Sequence, residues 1–88
     1  MVLDGDHGAV TARERFGANL RRLREAAGLT QLELGHRCNL QNTVISRYER
    51  GLRDPQLEAI AALAEGLGVR AADLVDGIPE ARGDAGGR

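Results

Sequence analysis

The 88 residues, with one Cys, one Phe, one Tyr and no Trp, suffice for one small domain whose core must be built from Leu, Ile, Val and Ala. A lone Cys38 excludes an intrachain disulfide. No apolar run reaches the roughly 18 residues of a membrane span, and the acidic start MVLDGDHG is unlike a signal peptide, so a cytoplasmic location away from membranes is expected. The formal charge of −1 argues against a polyanionic partner only until it is divided along the chain: residues 1–12 carry −2, residues 13–53 carry nine Arg against four Glu (+5), and residues 54–88 carry three Arg against seven acids (−4).

Residues 1–10 lack periodicity and hold two Gly and two Asp, which predicts a mobile arm. A first helix is expected over residues 12–27, with Thr11 as N-cap and Gly28 just past its end. Ala12, Phe16, Leu20, Leu23 and Ala27 recur at helical spacing and predict its buried stripe. The sequence Thr30-Gln-Leu-Glu33 is a capping box that opens a second helix ending near Arg37, and Asn39 is placed to take the left-handed turn conformation.

A third helix follows over residues 41–50 and stops at Gly51. Projected at about 100° per residue, Asn42, Thr43, Ser46, Arg47 and Arg50 share an arc of roughly 140°, while Val44, Ile45 and Tyr48 take an opposing arc of roughly 100°. One face can pack and the other can meet a polar groove. Asp54 followed by Pro55 predicts the start of a fourth helix, continued by Leu57, Ile60, Leu63, Ala64 and Leu67 and ended by Gly66 and Gly68. Residues 71–75 can form a last short helix anchored by Val69 and Leu74, and residues 77–88, rich in Gly and charge, predict a disordered tail. The fold class is therefore all-α, a compact bundle of five short helices over residues 11–76, with a helix-turn-helix at residues 30–51.

In this register the chain resembles the phage-repressor and Cro-like helix-turn-helix family, the Xre family, over residues 16–75. The resemblance is carried by Leu20, Leu23, Arg24 and Gly28, by Leu29, Thr30, Gln31, Leu34 and Arg37, and by Leu40, Ile45, Ser46, Tyr48, Glu49, Arg50 and Gly51. Pro55, Ile60, Leu63, Ala64, Leu67, Val69 and Leu74 continue it. It implies a lambda-repressor-like DNA-binding domain, with residues 41–50 in the major groove of double-stranded DNA. Asn42, Thr43, Ser46 and Arg47 would then face base edges, and Gln31, Arg50 and Arg53 would lie on phosphates. Arg24 and Glu49 would form a structural ion pair. The residue types suit those roles, since Asn can pair bidentately with adenine, Arg with guanine, and Thr can touch a thymine methyl. Three departures bear on geometry: Gly35 stands where relatives have Ala, Asn39 where they have Gly, and Gln41 where they have a Ser or Thr cap.

Plainer readings stand beside these. Asn42, Thr43 and Ser46 could form a solvated helix face, and Arg13, Arg15, Arg21 and Arg22 read as solvent-facing charges. Tyr48 reads as core with its hydroxyl at the surface, and Cys38 as a small apolar residue. His7 and His36 have no partners at metal-ligand spacing, so no metal or cofactor is expected, and no catalytic constellation suggests an enzyme. The expected activity is that of a sequence-specific transcriptional regulator, a repressor binding as a homodimer. The apolar residues between 67 and 78 are the expected dimer surface, to which Leu52 and Leu57 could add. An antitoxin or restriction controller, with a protein partner on the acidic C-terminal segment, is the first rival. A helix-turn-helix used only to bind protein is the second.

Overall fold

The computed structural model describes residues 10–79, and the arm and tail expectations lie outside them except at Val10 and residues 77–79. Five helices follow in order: α1 Ala12–Ala26, α2 Gln31–Cys38, α3 Asn42–Glu49, α4 Leu57–Leu67 and α5 Ala71–Leu74. α1 packs on α3 and α5, α2 lies against α3 and α4, and α4 against α5. Among the described residues there is no strand, and no helix is long and apolar enough to cross a membrane.

Local chemistry sets the helix ends. Thr11 and Glu14 close a capping box on α1, and Thr30 and Glu33 close one on α2: the Thr30 N–H donates to Glu33 Oε1 at 2.9 Å and the Glu33 N–H to Thr30 Oγ1 at 3.0 Å. Asn39, at φ 59° and ψ 41°, turns the chain out of α2 as expected. Gly51 does the same after α3, at φ 71°. α3 begins behind Gln41 and α4 behind Gln56, neither of whose side chains makes a cap bond, so these starts are less firmly held than those of α1 and α2.

Phe16 and Leu20 of α1, Leu34 of α2, Ile45 and Tyr48 of α3, Leu63 of α4 and Leu74 of α5 meet in one core. Each fully buried Leu or Ile contributes roughly 1.5–3 kcal/mol relative to exposure. The Phe16 and Tyr48 rings stand edge to face, centroids 5.9 Å apart at 87°. Where α1 crosses α3, the backbone carbonyls of Tyr48 and Glu49 come so near Gly17 that a Cβ there would overlap both. Asn19 is buried beside the stripe, and its Nδ2 donates to the carbonyls of Leu74 at 2.9 Å and Asp76 at 2.8 Å, fastening the end of α5 to α1.

Several boundaries differ from the sequence expectation. Burial on α1 is confined to its middle turns, so Ala12 and Ala27 are exposed, and Leu23 is half-buried. α4 starts at Leu57 behind Gln56 rather than at Pro55. Asp54 lies 3.6 Å from Arg13 Nε instead of capping a helix, and Pro55 lines a small apolar groove with Phe16, Ile60, Val75 and Ile78. Gly66 lies inside α4, where its missing side chain admits the Cys38 sulfur, and Gly68 alone ends that helix, at φ 71°. Ile78 packs against the core, so ordered structure passes residue 76. Leu67 and Leu74 are core residues and cannot form a dimer face; the exposed apolar side chains nearby are Leu52, Leu57 and Val75.

Candidate nucleic-acid interface

α3 and the two connections flanking it gather the polar residues of interest. Asn42, Thr43 and Arg47 are exposed on its outer face, as are Arg50 and Arg53 just beyond its end, while Ser46 is half-buried. Arg47, Arg50 and Arg53 are exposed and make no ion pair among the described residues, so three guanidiniums stand available at this end of the helix-turn-helix. Ile45 and Tyr48 on the opposite face are buried, which fixes which side of the helix looks outward.

The inner side of α3 is held by a charged network. Arg24 Nε donates to Glu49 Oε2 at 2.6 Å and Arg24 Nη2 to Glu49 Oε1 at 3.0 Å, with side-chain exposures of 11% and 4%. The third nitrogen, Nη1, donates to the Leu29 carbonyl at 2.8 Å. Each of the three nitrogens thus helps tie the end of α1 to the end of α3 and to the segment entering α2. The hydrogen bond with Glu49 raises the Arg24 guanidinium above its ordinary range despite its burial.

Gln31, at the first position of α2, donates from Nε2 to Glu49 Oε1 at 3.0 Å. It is half-buried, and the expected phosphate contact would have to come from the remaining N–H of the amide or from the backbone at the helix start. Gly35 is a close approach rather than a weak point: a Cβ there would run into the Leu40 carbonyl of the turn. Cys38 donates from sulfur to the Ala62 carbonyl at 3.3 Å, and burial pushes its thiol up from the ordinary range.

The expected pair of Arg24 and Glu49 is present, and Gln31, expected only on a phosphate, joins the same network. The sequence reading overlooked Gly17 and Asn19. A glycine inside a helical pattern is a signal of close backbone approach, and a lone amide beside an apolar stripe is a signal of a buried capping role.

Comparison with known proteins agrees with this arrangement. The family model described as a helix-turn-helix domain matches residues 15–76. An uncharacterised HTH-type transcriptional regulator, y4dJ, of Sinorhizobium fredii is 40% identical over 63 residues, covering 72% of this chain and 82% of that protein. The control protein C.BamHI of Bacillus amyloliquefaciens is 37% identical over 62 residues, covering 69% and 76%. Among solved structures, the restriction-modification controller protein C.AhdI of Aeromonas hydrophila superposes with a TM-score of 0.69 at 35% identity, covering 70% of this chain and 94% of that one. The chain belongs to the helix-turn-helix domain family, in its repressor- and Cro-like, or Xre, group.

Proposed function

We propose that the protein is a cytoplasmic, sequence-specific transcriptional regulator that lays α3 in the major groove of double-stranded DNA and acts as a repressor. The observation that carries this is the outward row Asn42, Thr43, Arg47 and Arg50, left without ion pairs among the described residues on a helix whose inner face is locked by Arg24 and Glu49. Asn42, Thr43, Ser46 and Arg47 read bases, and Gln31, Arg50 and Arg53 hold phosphates and set the register. One domain of this size covers a small footprint, so binding is by a symmetric dimer on half-sites about 34 Å apart. Leu57, 80% exposed, and Leu52, 59% exposed, with Val75, offer the apolar surface for that dimer.

Control of a restriction-modification system is the favoured biological setting. It is supported by the likeness to two proteins named as controllers, C.BamHI and C.AhdI.

Fluorescence anisotropy against randomised duplexes across a salt series tests the reading. Selected sequences should bind tightly, and Arg47→Ala should lower the preference for them by about 1–3 kcal/mol at one base position. No binding at low salt, or binding without preference that Arg47→Ala leaves unchanged, overturns it. Light scattering on the same samples reads the dimer, which Leu57→Asp should split.

A further inference from the structure

α1 and α2 each open on a threonine whose side chain accepts from the third helical residue, Glu14 or Glu33, and whose own N–H that residue's carboxylate holds in return. α3 opens on Gln41. This residue takes the same extended backbone, φ −73° and ψ 147°, and its carbonyl accepts from the N–H groups of Val44 and Ile45. Its side chain is exposed and makes no cap bond. Ser, Thr, Asp and Asn lead at such a position because their oxygens lie close enough to the backbone to fold onto the first turn. Glutamine carries its amide one methylene beyond that of asparagine.

The helix that forgoes its cap is thus the one with the outward polar face, and it does so at the end where Asn42 and Thr43 are exposed. A local rule broken at such a place marks a side chain with another use. A helix that enters the major groove sets its N-terminal residues against base edges, and Gln41 stands one residue ahead of Asn42 at that tip. Its amide offers a donor N–H and an acceptor oxygen side by side. A phosphate can engage only the donor, whereas the N7 acceptor and N6 donor of adenine engage both.

We propose that Gln41 is a further specificity-determining residue, pairing through its amide with N7 and N6 of one adenine beside the bases read by Asn42 and Thr43. The proposal rests on the DNA-binding reading of α3. Gln56 opens α4 in the same uncapped way, but the helix behind it is apolar and acidic, with no reading face to extend. It serves as the control.

Selection on randomised duplexes, followed by anisotropy with the preferred and a scrambled duplex, tests this on the wild type, Gln41→Ser and Gln56→Ser. All three are compared at one temperature well below their melting. Serine restores a cap at either site, so both melting temperatures should hold or rise, which separates any loss of binding from unfolding. Gln41→Ser should lose a preference for A·T of about five- to hundredfold at one base pair and weaken the preferred duplex by the same factor. The scrambled duplex should bind as before, and the salt slope should stay as it is, because a neutral amide releases no counterion. Gln56→Ser should keep wild-type affinity and preference. Equal weakening of both duplexes by Gln41→Ser would make Gln41 a phosphate contact and overturn the proposal, and the same loss in Gln56→Ser would overturn it too. An unchanged preference in Gln41→Ser, where Arg47→Ala loses its own, overturns the role of Gln41 alone. A wild type with no preference for any duplex overturns the reading of α3 with it.

Discussion

Arg24 grips Glu49 through two nitrogens, at 2.6 Å and 3.0 Å, across the crossing of α1 and α3, with both side chains almost withdrawn from water. The pair decides where the end of α3 sits. Glu49 also receives Gln31, so one carboxylate aligns the start of α2 with the end of the helix that faces outward.

Removing one partner should therefore strand a buried charge. Arg24→Ala or Glu49→Ala is expected to lose roughly 3–5 kcal/mol of stability in urea unfolding, a large share of what a domain of this size has. The double variant Arg24→Met with Glu49→Leu should lose much less than the sum of the single ones. Additive losses would show that the pair is not coupled.

Gly17→Ala ought to stabilise a helix by propensity alone, by roughly 0.5–1 kcal/mol. Its Cβ would instead press on the Tyr48 and Glu49 carbonyls, and backbone cannot yield as a side chain can. A net loss of about 1–3 kcal/mol is expected. A melting temperature at or above the wild-type value would contradict the tight crossing of α1 and α3.

Asn19→Leu keeps the branched shape of the amide but leaves the Leu74 and Asp76 carbonyls without their donor. The expected cost is about 1–3 kcal/mol. Hydrogen exchange should speed first in α5 and the residues after it, and unchanged protection there would refute the fastening role.

Glu33 is held below the usual carboxylate range, first by the Thr30 backbone N–H and then by the Thr30 side chain. A carboxylate with a depressed folded pKa adds stability above its unfolded pKa and loses it as pH falls through the folded value. The stability gap between the wild type and Thr30→Ala should therefore be widest at neutral pH and narrow on acidification. NMR titration should find the Glu33 pKa higher in the variant.

Cys38 should react slowly with iodoacetamide in the folded protein, since burial favours the protonated thiol. Alkylation should accelerate only when urea opens the packing of α2 against α4. Fast labelling under native conditions would place the sulfur at the surface.

The helix order, the Thr11 cap, the Thr30 capping box, the left-handed Asn39 and the outward row on α3 were all legible in the chain, because each depends on residues within a turn or two of one another. The same locality misled at Pro55, where the Asp-Pro signal promised a helix start. A distant arginine, Arg13, and a distant apolar groove drew those residues elsewhere.

The sequence by itself determined the fold class, the polar face of α3 and the positive stretch around it, since periodicity, caps and local charge are written along the chain. Only the tertiary structure decided that Leu67 and Leu74 are core while Leu57 is bare, that Gly17 and Gly35 are close approaches, and that Gln31 shares a carboxylate with Arg24. Those outcomes depend on how tightly separate helices meet, and packing distances between segments far apart in the chain leave no periodic mark in it.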